Sequence, residues 1–302
     1  MTEHACPTPG PNDLYPTRRA GEPALLYRTD PVVHGNVDGP IDQETLVAYD
    51  ADGFLTVDEL LAPEEVERYR AELRRLAADE AVLRDDRTIT ERGSDEIRSI
   101  FEVHKVSDVF AELVTDPRVV GRARQLLGSD VYVHQSRVNY KPGFKGKDFY
   151  WHSDFETWHA EDGMPRMRAV SISIALTENF VHNGGLMIMP GSHKTFVSCV
   201  GETPADHYKE SLRGQEVGTP DPDSLSILAD KHGIELFTGP AGSATMFDCN
   251  CMHGSNGNIT PFPRSNIFIV FNSVENTCEE PFAAPSRRPE FIAARDFTPV
   301  GA

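Results

Sequence analysis

The chain has 302 residues, of which 39% are hydrophobic and 25% are charged. This composition is typical of a folded globular protein with a sizeable core, and it is too apolar for general disorder. Its 47 Asp and Glu against 29 Lys and Arg give a formal net charge of −18, and no basic block occurs. The charge therefore argues against a surface for nucleic acid or anionic membrane, and we interpret it as a solubility feature.

The N-terminal residues and the cysteines bear on localisation and partners. The N-terminus is polar and Pro-rich without the apolar core of a signal peptide, and no run of about 18 apolar residues could span a membrane. The cysteines are odd in number and scattered, which favours a reducing compartment; they are Cys6, Cys199, Cys249, Cys251 and Cys278. We therefore expect a cytoplasmic protein, and a homodimer is one alternative for its assembly.

The first part of the chain predicts helices. Residues 1–13 read as a flexible tail, and Pro and Gly punctuate the stretch that follows to about residue 48, which predicts irregular structure. Residues 63–79 have the spacing of an amphipathic helix, with a proline suited to its first turn. Residues 116–128 predict a second helix, which the final glycine ends.

From residue 130 the pattern changes to the alternation of apolar and polar residues that is typical of strands. Turn residues separate the predicted strands, which cover residues 131–140, 168–179, 186–190, 242–247 and 266–274. Helices followed by a run of strands, without regular βαβ alternation, predict an antiparallel sandwich with flanking helices. Residues 197–232 interrupt the strands with a polar insertion that we predict to act as a lid.

The stretch FYWHSDFETWHAEDGMP, residues 149–165, contains six side chains that could bind a metal: His152, Asp154, Glu156, His159, Glu161 and Asp162. In an extended chain His152, Asp154 and Glu156 point to the same side, and the first two are close enough to share a metal. Glu156 lies another period along and is expected to be too far. Turn residues surround the last three, so their directions stay open.

A second group of candidate residues lies a hundred positions later. His253 precedes Gly254 at a predicted strand end, and Arg264 stands at the entrance of the next strand. Two histidines and one carboxylate form the facial triad of non-haem Fe(II) oxygenases, in which a 2-oxo acid and O₂ fill the three open positions. A bidentate arginine suits the far carboxylate of such a cosubstrate. The order H-x-D, H, R therefore predicts an oxygenase of this class.

Several of these residues also have ordinary interpretations. Trp158 is compatible with simple packing, Arg264 with a solvated loop charge and Lys141 with a surface turn. The C-x-C-x-H sequence of residues 249–253 is compatible with a zinc site, but a structural zinc needs a fourth ligand and no second cysteine pair is present. His193 follows a Pro-Gly turn and is interpreted as a turn residue.

The blocks WHSDFETWHAEDGMP, MHGSNGN and PRSN resemble the phytanoyl-CoA dioxygenase-like branch of the Fe(II)/2-oxoglutarate dioxygenases, and within it the enzymes that hydroxylate ectoine. The resemblance runs from DLYPTR (13–18) through VHQSRVNYKPG (133–143) to the C-terminal strands, with no departure at a matched ligand position. It implies a mainly β fold with flanking helices, in which a double-stranded β-helix (a jelly-roll, cupin-like core) spans about 130–275 within a single domain over 14–302.

The resemblance also implies the roles of individual residues. The iron ligands, which are the catalytic residues, would be His152, Asp154 and His253. The expected contacts to 2-oxoglutarate are Lys141, Arg264, Asn139, Phe149 and Ser255. The expected contacts to the substrate are Gln135, Trp158, Arg137, Thr157 and Phe268.

The chemistry of these residues agrees with that expectation. Gln135, Arg137 and Asn139 share one face of an alternating strand, where apolar residues would be the rule. Ectoine carries a delocalised cation, which suits the face of Trp158, and a carboxylate, which Arg137 or Gln135 could meet. We therefore expect hydroxylation of ectoine to 5-hydroxyectoine, with Fe(II), 2-oxoglutarate and O₂, for compatible-solute synthesis. The alternatives are a related dioxygenase acting on another small zwitterion and a non-catalytic, ligand-binding jelly roll.

Overall fold

Helices and short strands alternate in the first part of the chain, and strands dominate the second. The computed structural model describes residues 13–91, 95–214 and 216–301, so the predicted tail lies outside the described residues except for Asp13. The α-helices are α1 Gln43–Asp52, α2 Pro63–Ala78, α3 Glu80–Leu83, α4 Val103–Val106, α5 Asp108–Thr115, α6 Pro117–Leu127, α7 Asp154–Thr157, α8 Tyr208–Ser211 and α9 Pro222–His232. The strands are β1 Ala24–Tyr27, β2 Phe54–Val57, β3 Thr88–Thr90, β4 Ile97–Phe101, β5 Val131–Lys141, β6 Phe149–His152, β7 Ala169–Ala175, β8 Leu186–Ile188, β9 Thr195–Ser198, β10 Glu235–Phe237, β11 Ala244–Asp248, β12 His253–Ser255 and β13 Arg264–Ser273.

Two antiparallel sheets form the body of the protein. The larger has the strand order β2-β11-β7-β13-β5-β4-β3 and the smaller has the order β10-β8-β12-β6, while β1 pairs with β9. Apolar residues of both sheets share one cluster, in which Leu186 and Ile188 of β8 join Phe247 of β11 and Phe268 of β13. The sheets therefore face each other as the two layers of a jelly roll, and the predicted fold class is confirmed.

Alternation along the central strands gives the larger sheet two different buried faces. Ile172 and Ile174 of β7 belong to the main core, which also contains buried residues of α2, α5 and α6. The intervening Ser171 and Ser173 are equally buried but face the interior of the jelly roll, where Ser171 Oγ donates a hydrogen bond to Asp154 Oδ2 at 3.0 Å. The outer face thus holds the helices, and the inner face presents polar groups to the site.

The predicted helices and strands are present. Helix α2 begins at Pro63, and its first turn is closed by a hydrogen bond from Ala62 N to Glu65 Oε2 at 2.8 Å. Helix α6 ends at Leu127 and is capped by Gly128, whose φ of 62° favours glycine. The five predicted strands correspond to β5, β7, β8, β11 and β13. Within the described ranges, no helix is long and apolar enough to cross a membrane.

The core extends beyond the predicted residues 130–275. Strands β2, β3 and β4 precede residue 130, yet they extend both edges of the larger sheet, since β2 pairs with β11 and β4 pairs with β5. The region before residue 48 is not irregular throughout, because β1 pairs with β9 and α1 begins at Gln43. Strands of three to five residues are too short for periodicity to separate them from loops. The insertion predicted over 197–232 begins only after β9 ends, and it contains α8 and α9.

Candidate active site

Two histidines and one aspartate meet where β6 and β12 pair. The antiparallel register places His253 opposite His152, with ring centroids 4.3 Å apart. Asp154 Oδ1 lies 3.6 Å from His152 Nε2 and 3.9 Å from His253 Nε2. Among the residues that the structure describes, this is the one group of three or more His, Cys, Asp or Glu that could hold a metal, and its ligand atoms lie within 4.8 Å of one another.

Hydrogen bonds fix the orientation of the three side chains. Each ring's Nδ1 donates to the backbone carbonyl two residues earlier, at 2.7 Å in His152 and at 3.0 Å in His253. Because a carbonyl oxygen only accepts, both Nδ1 atoms carry the proton and both Nε2 atoms are free bases. Ser171 Oγ donates a hydrogen bond to Asp154 Oδ2, which leaves Asp154 Oδ1 facing the two rings.

The protonation states suit a divalent metal. Burial, with a smaller contribution from the neighbouring His152, lowers the pKa of His253 to about 4. Burial alone would raise the pKa of Asp154, but the neighbouring imidazoles and Arg137 hold it well below its usual value. Neutral imidazole and ionised carboxylate are the forms that bind metals, and two histidines with one carboxylate fit Fe(II).

The chain is not extended across the motif, contrary to the expectation for residues 149–156. Strand β6 ends at His152, and Asp154 opens α7, which continues into a π-helical turn over Trp158–Asp162. Ser153 forms the junction and accepts a hydrogen bond from the helix at its side chain. His152 and Asp154 still converge because only this one residue separates them at the bend.

The other four candidate ligands of the motif are buried in ion pairs away from the metal centre. The helical turn carries them to the opposite side, where charged residues from both ends of the chain meet them. The partners are Arg18 for Glu156 (2.9 Å) and for Glu161 (2.5 Å), Asp13 for His159 (3.0 Å) and Arg288 for Asp162 (2.5 Å).

A cavity of about 590 Å³ opens beside the triad. Four of the five predicted substrate contacts line it: Gln135, Arg137, Thr157 and Trp158. Trp158 also packs in the core, with its ring edge-on to His134 at 5.2 Å between centroids, so the packing interpretation and the cavity interpretation both hold. Phe268 lines a second, narrower cavity instead, where the Arg137 guanidinium lies 5.0 Å from its ring centroid.

The narrower cavity brings together all five predicted contacts to 2-oxoglutarate: Asn139, Lys141, Phe149, Ser255 and Arg264. The register of β13 against β5 pairs Arg264 with Lys141 at its far end. Arg264 is not a solvated loop charge, because it is only 7% exposed and donates to Asn179 Oδ1 and Gly184 O at 3.0 Å. No carboxylate of the described residues pairs with it, and burial lowers its pKa to about 10. A buried cation without a counterion suits an anionic ligand.

Lys141 is likewise not a surface residue, because it is only 4% exposed. Its Nζ donates to Ser255 Oγ at 2.8 Å and to Asn256 O at 2.6 Å. Burial lowers its pKa to about 6, and the charge of Arg264 adds to that effect. The far end of the narrow cavity therefore holds a cationic arginine beside a lysine that its surroundings keep largely neutral, and a bound anion would favour the charged form of that lysine.

The zinc interpretation of residues 249–253 finds no support. Cys249 and Cys251 precede β12, and no metal cluster among the described residues includes a cysteine. The Cys251 thiol instead donates to Gly53 O at 3.2 Å. His193 lies in a short 3₁₀ turn, as expected for a turn residue.

Sequence reasoning missed part of the main cavity's wall, including Arg98 and Arg288, whereas residues 211–214 of this wall lie within the predicted lid. The Arg98 guanidinium lies 3.7 Å from the Phe149 ring centroid. Arg98 lies in β4, a strand of only five residues with the sequence IRSIF, so periodicity does not mark it as a buried position. Arg288 lies in a segment without periodicity, and nothing in the sequence marks it. Residues 203–214, which end in this wall, are called the covering segment below.

A jelly roll that presents two histidines and one carboxylate beside a pocket with a buried arginine is the arrangement of non-haem iron oxygenases that use a 2-oxo acid. The sequence profile of the phytanoyl-CoA dioxygenase (PhyH) family matches residues 49–266. The chain is 67% identical over 290 residues to the ectoine dioxygenase of Streptomyces coelicolor, covering 95% of this chain and 97% of that relative. It is 54% identical over 291 residues to the ectoine dioxygenase of Stutzerimonas stutzeri, with coverages of 95% and 96%.

Solved structures give the same result. EctD from S. alaskensis, crystallised with 2-oxoglutarate and 5-hydroxyectoine, superposes with a TM-score of 0.87 at 49% identity, covering 95% of this chain and 96% of that chain. EctD from the same organism with bound Fe gives a TM-score of 0.86 at 48% identity, with coverages of 95% and 97%. The chain belongs to the phytanoyl-CoA dioxygenase family and, within it, to the group of the ectoine dioxygenases, which confirms the predicted relationship.

Proposed function

We propose that this protein hydroxylates ectoine to 5-hydroxyectoine and couples this reaction to the conversion of 2-oxoglutarate and O₂ into succinate and CO₂, for compatible-solute synthesis. The observation that carries the proposal is the position of the His-Asp-His group between two cavities of different character. One cavity ends at a buried arginine and lysine, and the other is lined by a tryptophan and polar groups. A cosubstrate and a substrate can therefore reach one metal from two sides.

Iron held by His152, Asp154 and His253 would supply the oxidising chemistry with O₂. The protein's own contribution is to present the ligand atoms ready for binding. Hydrogen bonds from Nδ1 to backbone carbonyls orient both histidine rings so that their Nε2 atoms face the centre. The hydrogen bond from Ser171 holds Asp154 Oδ2 away from the centre, so that Oδ1 faces it. Fixed ligands of this kind reduce the ordering cost of metal binding.

The narrow cavity suits 2-oxoglutarate because that cosubstrate carries a carboxylate at each end. Arg264 is our proposed partner for the carboxylate far from the metal, since it is buried, cationic and not paired with a carboxylate of the described residues. Lys141 and Ser255, already joined by a hydrogen bond, would add donors beside it. Asn139 and Phe149 complete the wall, with the Lys141 ammonium 5.5 Å from the Phe149 ring centroid.

The main cavity suits a small zwitterion. Trp158 offers an aromatic face for the cation, and Thr157 lies beside it in the wall. Arg137 is the better partner for the carboxylate than Gln135, because the Gln135 amide is already engaged at both ends. Its Nε2 donates to Ile292 O at 2.7 Å, and its Oε1 accepts from Arg137 Nη1. Gln135 would therefore orient Arg137 toward the substrate.

We also propose that the enzyme works in the cytoplasm. The four described cysteines are free and buried, which fits a reducing compartment. A homodimer stays a prediction.

The test is the dependence of succinate release on ectoine, with purified protein, Fe(II), 2-oxoglutarate and air. We expect rapid release only when ectoine is present. Release that depends on an amino acid but not on ectoine would favour the dioxygenase acting on another zwitterion. A protein that binds Fe(II) but releases no succinate with any of these compounds would be a ligand-binding jelly roll.

A further inference from the structure

The covering segment forms the outer wall of the main cavity with almost no apolar attachment to the body. Its last four residues, 211–214, line the cavity. Helix α8, within the segment, contains no buried residue. Across residues 203–214 the single buried residue is His207, which is a polar side chain. The position of this wall therefore depends on polar contacts.

His207 contacts the turn that carries the predicted substrate residue. Its Nδ1 lies 3.0 Å from Glu161 Oε1, and the two side chains are 7% and 2% exposed. Glu161 belongs to the same π-helical turn as Trp158. A contact at Glu161 thus joins the covering segment to the turn that contributes Trp158 to the main cavity.

A second polar contact attaches the start of the segment to the same carboxylate. Arg18 Nη1 donates to Glu161 Oε1 at 2.5 Å and to Thr203 Oγ1 at 3.0 Å. Thr203 Oγ1 in turn donates to Ala283 O at 2.6 Å. The Arg18 side chain is fully buried, so it cannot follow the segment outward without exposing the ion pair.

The protonation state of Glu161 fixes the direction of these hydrogen bonds. Burial alone would raise its pKa, but the hydrogen bond from His207 and the charges of Arg18 and Arg288 lower it to about 2. The carboxylate is then an acceptor at any working pH, and His207 Nδ1 must donate. A buried hydrogen bond to a charged group is among the stronger polar contacts in proteins.

We propose that His207 is a positioning residue for ectoine: by donating to Glu161 it holds residues 211–214 in the wall of the main cavity, which Trp158 also lines. His207 does not line the cavity, and so it acts through the covering segment. This inference rests on the proposed function, because it assigns the main cavity to ectoine.

The test compares two substitutions at this position. His207→Leu keeps a similar bulk but removes the donor, and we expect the KM for ectoine to rise about tenfold. We expect the KM for 2-oxoglutarate and the iron content to stay within twofold of the wild type, and more succinate to form per 5-hydroxyectoine. In His207→Asn the side-chain amide nitrogen stands close to the position of Nδ1, so we expect the KM for ectoine to recover. Lys209→Ala, an exposed change on the same segment, is the matched control.

A second readout does not depend on turnover. Amide hydrogens of residues 208–214 should exchange faster in His207→Leu than in the wild type without any ligand, and His207→Asn should restore their protection. An unchanged KM for ectoine and unchanged exchange in His207→Leu would overturn the inference. If His207→Leu fails to fold, Thr203→Val removes the hydrogen bond from Arg18 to the start of the covering segment. A wild-type KM for ectoine and wild-type exchange in Thr203→Val would equally count against the inference. If the wild type does not hydroxylate ectoine, the proposed function is wrong. Hydrogen exchange in the wild type and in the His207 variants still tests whether His207 holds the covering segment.

Discussion

The two cavities that meet at the metal centre are built in different ways. The narrow one is enclosed by β5, β12 and β13, whose ladder hydrogen bonds and buried side chains fix Arg264 opposite Lys141. The main one is closed on its outer side by the covering segment, in which only His207 is buried. The difference indicates that the proposed metal and cosubstrate sites are preformed, whereas the proposed substrate site can open by breaking a few polar contacts.

The largest effect is expected on the preformed side, at the metal. Asp154→Ala should abolish turnover and strongly lower the iron content, because two ligands hold Fe(II) poorly. His253→Ala should do the same. Iron content by metal analysis and succinate release are the measurements, with the exposed Asp58→Ala as control. Normal iron content and activity in either ligand variant would contradict the metal assignment.

The next effect concerns the far end of the narrow cavity. Arg264→Lys should raise the KM for 2-oxoglutarate about tenfold or more, because an ammonium group cannot reproduce a two-pronged contact to a carboxylate. The KM for ectoine should change little, since Arg264 does not line the main cavity. Arg84→Lys, at an exposed position on the helical side, is the control. An unchanged KM would transfer the role to Lys141.

On the substrate side, Trp158→Ala should lower kcat/KM for ectoine at least tenfold. A cation–π contact contributes about 0.5–2 kcal/mol, and the loss of ring packing adds to it, where about 1.4 kcal/mol corresponds to a factor of ten. Trp158→Phe should keep part of the activity because a flat face remains. Because Trp158 also packs on His134, thermal unfolding must be measured alongside. Iron content should stay normal in both variants, and normal turnover in Trp158→Ala would contradict the placement of ectoine.

Hydrogen exchange measures the difference between the two cavity walls without any mutation. In the free enzyme, residues 203–214 should exchange much faster than β5, because α8 has no buried residue whereas β5 is paired on both sides. Iron, 2-oxoglutarate and ectoine together should protect the covering segment, as predicted for a lid. Equal exchange with and without the three ligands would show that the segment does not close over the substrate.

The smallest expected effect is the uptake of a proton when 2-oxoglutarate binds. With a pKa of about 6, Lys141 is mostly neutral at pH 7.5, and a bound dicarboxylate favours its charged form. Binding of 2-oxoglutarate to the Fe(II) enzyme without O₂ should therefore take up as much as about one proton. The affinity of the enzyme for 2-oxoglutarate should fall as the pH rises above 6, because a smaller fraction of Lys141 is then charged. Calorimetry in two buffers of different ionisation enthalpy measures the uptake, and Lys141→Met should abolish it. A heat of binding that is independent of the buffer would contradict the protonation of Lys141 on binding.

The sequence predicted the parts of the molecule that depend on local pattern. Helices α2 and α6 have clear periodicity and end signals, and His152 and Asp154 need only one bend between them to come together. The directions of Glu156 and Glu161 could not be predicted, because they depend on Arg18, more than a hundred residues away in the chain. The same holds for Arg288, whose partner Asp162 lies 126 residues before it. Long-range ion pairs leave no periodic trace in a sequence.

The most direct test of the account is the identity of the product. Purified enzyme supplied with Fe(II), 2-oxoglutarate, O₂ and ectoine should form 5-hydroxyectoine and succinate in equal amounts, with nuclear magnetic resonance placing the hydroxyl group at C5 of the ring. Succinate formed without hydroxylated ectoine, or ectoine hydroxylated without consumption of 2-oxoglutarate, would contradict the claim that the two cavities serve one metal.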